Sequence, residues 1–267
     1  MSALASTPAA TRYWTGAGLA FAAALLGAVL AHSALAATKT ESSAIEELVR
    51  WGPLIFRGFL FNLLVATLAM LLGTIAGAFL GLGQVSRLRA VAVGCDWTTQ
   101  FFRNAPWLVL LFYCIFLIPY EVRVFGVTIP FPAWMKAVIG LGLPVMANVS
   151  EIVRGAVLSI PTGQWESAAS LAFNRRQTLW RIILPQCVKR MLPPWMNLYA
   201  ILTTASPLIS IVGVQDGMTQ TRAALTATNR PDLMLPFFLF LLVLFFLYCY
   251  PIARATRALE AKFAVKG

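Results

Sequence analysis

The chain has 267 residues, 59% of them hydrophobic and only 12% charged, and its mean hydropathy is +0.77. A soluble domain carries about 25% charged residues, so this composition excludes an ordinary water-soluble globule and points to lipid. The formal net charge of +11 lies in short segments between long apolar runs, which excludes nucleic-acid binding as its purpose.

Residues 1–16 are small and polar and are expected to form a disordered cytoplasmic N-terminus. Residues 17–37 carry no formal charge and include the sole histidine, His32. That length suffices for a transmembrane helix, since about 20 apolar residues cross a bilayer. Its end, Ala34-Leu35-Ala36, is similar to a signal-peptide cleavage site, but the apolar run is long for a signal peptide and a retained helix is expected. Residues 38–55 are expected to be a periplasmic loop, with a short surface helix ended by Gly52-Pro53. The apolar run 58–86 contains Gly73, Gly77 and Gly81. Glycines four residues apart share one helix face and let a neighbouring helix approach closely.

Further apolar runs follow at 104–120, at 137–150 (continuing past Glu151 and Arg154), at 191–214 and at 235–253. The expectation is an all-α polytopic membrane protein with about six transmembrane helices. With the N-terminus inside, thirteen Lys and Arg fall in inner segments and seven in outer ones, Arg154 lying within a span. The positive-inside rule then puts both termini in the cytoplasm, the last segment being a tail at 256–267. The eight Trp sit near span ends or in loops, as an aromatic belt places them. Cys95, Cys114, Cys187 and Cys249 fall in spans or inner loops, and neither they nor His32 have metal-ligand spacing. No outer loop between these spans exceeds about 20 residues, so a solute, if the chain handles one, is expected to be delivered by another protein.

One inner segment stands apart: Trp165–Gln186, WESAASLAFNRRQTLWRIILPQ. Trp165, Ala168, Ala169 and Ala172 recur at helical spacing, opposite Glu166, Ser170 and Asn174. Asn174-Arg175-Arg176-Gln177 then reads as a capping box opening a second helix, with Leu179, Trp180, Ile182 and Ile183 as its apolar side and Pro185 as its stop. An interfacial amphipathic anchor is one reading. A docking helix accounts better for the small residues, because interfacial anchors favour bulky apolar faces.

The segment ESAASLAFNRRQTLWRIILPQ resembles the EAA loop of ATP-binding-cassette (ABC) importer permeases, E-A-A-x-x-x-G followed by I-x-L-P. Glu166, Ala168, Ile182, Leu184 and Pro185 match; Ser167 replaces the second-position Ala, and Ala172 replaces the Gly, implying a helical or mildly strained corner. Three further stretches are similar to the polar amino acid permeases of the histidine, glutamate, glutamine, arginine and opine group. They are FFRNAPWLVLLFYCIFLIP, NVSEIVRGAVLSIPTGQWESAA and LPPWMNLYAILTTASPLISIVGVQD. Together these cover roughly residues 55–255. The chain departs at Asn148, where that group has Tyr, and at Thr204, where it often has Lys.

The resemblance implies a type I importer bundle, with residues 56–255 as the permease domain and 161–186 as its coupling loop. It implies that Glu166, Ser167, Ala168, Ala169, Leu171 and Ala172 contact an ATPase dimer, which holds ATP and Mg. It also implies a second permease chain, identical or homologous, a periplasmic solute-binding protein and a bacterial inner membrane. Glu151 is the acidic residue inside a span; such charges are costly and face a cavity or each other, and Arg154 stands at i+3. Asn62, Thr67, Asn148, Ser206 and Ser210 join Glu151 as polar candidates for the solute path.

Two other function classes find less support in the sequence. An intramembrane enzyme needs a catalytic set at membrane depth, and no Asp lies in the spans drawn here. A secondary transporter or channel is the second reading, but no inverted repeat supports it. No G-x-x-x-x-G-K-[ST] motif or Gly-Lys dipeptide occurs, so ATP hydrolysis belongs to another polypeptide.

Overall fold

The computed structural model describes residues 43–124 and 127–263, with isolated positions 20, 24 and 27. The expected span at 17–37, its cleavage signal and the expected N-terminal segment lie outside the continuously described residues. The chain divides into two compact units, Met1–Phe59 with Gly217–Phe246, and Leu60–Asp216 with Leu247–Gly267.

Helix α1 runs from Ala44 to Gln84. It opens on a capping box: the Ser43 hydroxyl accepts from the Glu46 N–H, and the Glu46 carboxylate accepts from the Ser43 N–H at 3.0 Å. The helix passes through Gly52-Pro53 without ending, so most of the expected 38–55 loop is helical. A proline inside a helix forfeits one backbone hydrogen bond, a smaller loss than the several left unmade where a helix breaks.

α2 (Arg89–Asn104) and α3 (Trp107–Leu117) meet at a bend of 103°. Pro106 explains the bend, because the residue before a proline is pushed out of the helical region, and Ala105 is extended (φ −75°, ψ 136°). The apolar run expected at 104–120 is therefore a short helix followed by β1 (Glu121–Val124) and β2 (Val127–Pro130), an antiparallel hairpin pairing Val124 with Val127. The hairpin departs from the all-helical expectation; its alternating Val and Ile residues are the sequence signal for it.

α4 (Ala133–Leu158) and α5 (Thr162–Ser170) follow. α6 (Arg175–Thr178), a π-turn (Leu179–Ile183) and α7 (Leu184–Ala205) then run on without a break. Pro185 does not stop this helix, contrary to expectation. In an α-helix its ring meets the carbonyl four residues back; the wider π-turn, in which the Leu184 N–H reaches the Leu179 carbonyl, precedes it. A 3₁₀ turn (Ser206–Val212), α8 (Gly217–Thr228), a second 3₁₀ turn (Pro231–Leu233) and α9 (Met234–Phe263) complete the chain. Among the described residues four helical stretches are long and apolar enough to cross a membrane, and the bent α2–α3 pair supplies a fifth if counted as one span.

In the larger unit the glycine face of α1 meets α4. A Cβ on Gly73 would stand 2.5 Å from Val145 Cγ1, one on Gly77 2.5 Å from the Met146 carbonyl oxygen, and one on Gly81 2.6 Å from the Ser150 carbonyl oxygen. In lipid no hydrophobic force drives helices together, so this van der Waals contact is what joins them. Val65, Ala69 and Met70 of α1, Leu111 of α3, Leu141 and Val145 of α4, and Leu198 and Leu202 of α7 make the core. In the smaller unit Phe59 meets Phe245 edge to face at 5.0 Å, and Ile55, Leu233 and Phe237 are fully buried.

Candidate functional site

Two places gather candidate functional residues, both within the larger unit. The first is the loop between α4 and α7. α5 ends with Ala172 at φ +58°, in the left-handed region. The Ala172 N–H reaches the Ala169 carbonyl at 2.9 Å, and the Phe173 N–H reaches the Ala168 carbonyl at 3.1 Å. These two bonds make a Schellman motif, whose reversal requires that positive φ. Of the two corners that Ala in place of Gly implied, helical or mildly strained, the strained one is present. Asn174 then starts α6 with both capping-box bonds, each 2.9 Å.

This corner folds α5 back on the bundle. Ala168 is 1% exposed, and Trp165, Leu179 and Ile182 pack on a buried cluster of Ala156, Val157, Ile160, Ile183 and Cys187. Arg175 donates to the Val85 carbonyl at 3.1 Å and lies 5.7 Å from the Trp165 ring. Glu166, Ser167, Ala169, Ser170, Leu171 and Ala172 face outward, with Leu171 71% exposed. Ala168 thus belongs to the bracing face, and the outward surface is polar around one large apolar residue.

The second place is a cavity of about 510 Å³ between α2, α4 and α7, lined in part by Arg103, Asn148, Glu151, Ser159, Arg190 and Asn197. One Glu151 carboxylate oxygen, Oε2, is 3.5 Å from Arg154 and 3.6 Å from Arg103. The other, Oε1, is buried and has no hydrogen-bond partner. Arg190 is committed to Ser159, donating to its carbonyl at 2.7 Å and to its hydroxyl at 2.8 Å.

The cavity unites two of the expected path residues, Asn148 and Glu151. Asn62 is fully buried elsewhere and donates to Asp216 at 3.1 Å. Thr67 bonds to the Tyr199 hydroxyl at 3.0 Å, which in turn bonds to Tyr248 at 2.9 Å. Ser206 is buried with its hydroxyl on the Thr203 carbonyl, and Ser210 is half-buried in the 3₁₀ turn, outside the cavity lining. Arg103, Arg190 and Asn197 were not singled out for this role from sequence. Arg103 and Asn197 do lie in the FFRNAP and LPPWMN stretches, which held the available signal. Among the described residues no cluster of metal-ligating side chains occurs.

The sequence matches the family model for the binding-protein-dependent transport system inner membrane component over residues 69–265. The chain belongs to that family. It is 35% identical to the probable amino-acid ABC transporter permease protein YckA of Bacillus subtilis, over 61% of this chain and 70% of that protein. The L-cystine transport system permease protein TcyB of the same organism is 32% identical, over 61% of this chain and 68% of that protein. The fold is similar to a crystal structure of an amino acid ABC transporter with histidines, with a TM-score of 0.70 at 22% identity, covering 84% of this chain and all of that one. The fold class is thus a type I importer permease bundle.

Proposed function

We propose that this permease moves a polar α-amino acid inward across the bacterial inner membrane, with both its termini cytoplasmic, delivered by a periplasmic solute-binding protein and powered by an ATPase dimer. The observation that carries the solute reading is Glu151. Its carboxylate is held between two guanidinium groups while Oε1 stays buried and unpaired at a cavity of about 510 Å³. A buried acceptor without a donor costs about 1–3 kcal/mol, and an arriving ammonium group removes that cost. Arg103, 3.6 Å from the same carboxylate, offers the complementary donor for a solute carboxylate. Adjacent acidic and basic groups suit a zwitterion, and the volume lies within the range of small-molecule sites.

The coupling reading rests on the exposed face of α5. Glu166, Ser167, Ala169, Leu171 and Ala172 are exposed on a helix and corner whose C-terminal end is held by the Schellman turn and the capping box that follows it, as docking into an ATPase groove requires. Ala168 supports this from behind. ATP and Mg are held by the ATPase. The interfacial-anchor alternative is less well supported, since Leu171 is the one large apolar side chain on the outward part of α5 and its corner.

Uptake tests the solute reading. Glu151→Gln keeps shape and removes charge; uptake of labelled amino acid in reconstituted vesicles is expected to fall about tenfold or more, the loss of one charge-assisted contact, with complex assembly unchanged. Unaltered uptake kinetics return Glu151 to a purely structural role.

A further inference from the structure

A second cavity, of about 480 Å³, lies where α1, α4, α5 and α6 converge, and the proposed solute path does not use it. Arg154 of α4 and Arg175 of α6 both line it, with Ser86 from the α1–α2 turn, Thr162 and Trp165 from α5, and Leu158 as an apolar wall. No Asp or Glu is among the lining residues. Each guanidinium has donors to spare. Arg154 is shared with Glu151 only at 3.5 Å, and Arg175 spends one N–H on the Val85 carbonyl. The Ser86 hydroxyl accepts from the Leu88 N–H, which leaves its own proton for an acceptor.

We infer that this cavity binds a phosphate-bearing anion, the headgroup of an acidic phospholipid or a free phosphate ester. Two arginines in a lining that holds no Asp or Glu present forked donors that match phosphate oxygens. Leu158 is 63% exposed and offers a surface for an acyl chain. The inference rests on the proposed orientation for its side of the membrane: with the termini inside, the cavity opens at the inner headgroup level, where basic pockets between helices bind acidic lipid. A phosphate there joins four elements at the base of α5 and stiffens the coupling loop.

The test uses the purified full chain in a neutral detergent, titrated by native mass spectrometry with dioleoyl-phosphatidylglycerol, dioleoyl-phosphatidylcholine and glycerol 1-phosphate. The wild type is expected to bind phosphatidylglycerol in preference to phosphatidylcholine. The double variant Arg154→Gln, Arg175→Gln is expected to bind it about tenfold more weakly for each guanidinium removed. Leu158→Trp, which fills the cavity and keeps both guanidinium groups, is expected to lose binding as well, and serves if the double variant fails to fold. Arg181→Gln, an exposed arginine outside the cavity, is expected to change nothing. Glycerol 1-phosphate binding with the same sensitivities identifies a soluble phosphate ester as the ligand. Unchanged phosphatidylglycerol binding in folded Leu158→Trp or in the double variant overturns the inference, as does an equal loss in Arg181→Gln. The measurement reads binding and not transport, so its failure is separate from that of the uptake reading.

Discussion

Ala172 shows how one residue shapes the loop between α4 and α7. Its φ of +58° places a Cβ where L-residues pay about 1–2 kcal/mol, yet the two bonds of the Schellman turn hold it there. Ala172→Gly relieves that strain, and is expected to stabilise the purified chain by about 1 kcal/mol, read as a raised thermal midpoint; Ala172→Val is expected to lower it. The strained corner was legible because the family pattern has Gly there and the residue is Ala. The Glu151 pairing was half legible. Arg154 at i+3 is a neighbour on any helix, but Arg103, 48 positions earlier, reaches the same carboxylate only because α2 packs on α4. Arg103→Gln is accordingly expected to reduce uptake with the complex still assembled, and normal uptake kinetics in that variant would remove Arg103 from the solute site.

At the scale of elements, the glycine face of α1 followed from spacing alone, because helical periodicity fixes which side three glycines share. Gly77→Val puts a side chain against the Met146 carbonyl and Val149, so it is expected to cost about 1–3 kcal/mol by overpacking, measured as loss of folded fraction in a denaturing-detergent titration. Asn174→Ala removes the capping box and is expected to cost about 1 kcal/mol in the same assay. The helix ends were read less well. Gly52-Pro53 and Pro185 are strong stop signals in water, where a freed carbonyl finds solvent. The helix nevertheless continues through both, with a π-turn preceding the second. The hairpin at Glu121–Pro130 was missed because its strands are four residues each, too short to stand out from an outer loop. Ala168 was placed with the docking residues, since an alanine suits a tight intramolecular contact as well as a docking surface, and its 1% exposure puts it on the inner side instead.

At the scale of the whole molecule, the four long apolar helical stretches among the described residues, the bent α2–α3 pair and the folded-back α5 belong to a chain of the binding-protein-dependent transport permease family. One chain offers one coupling helix, so a dimeric ATPase is expected to bind two permease chains; a purified complex with one permease per ATPase pair contradicts this. A reporter fused after Gly267 is expected to score as cytoplasmic. The central claim is that α5 transmits ATP-driven closure through contacts that differ between two states. Its most direct test is co-purification of the ATPase, with solute-stimulated hydrolysis, for Glu166→Lys and Leu171→Asp. Both residues face outward and neither braces the bundle. Both variants are expected to insert and fold normally while losing the ATPase or its stimulation. Retention of the ATPase with full stimulation in both variants would contradict the coupling assignment and leave the loop as an interfacial anchor.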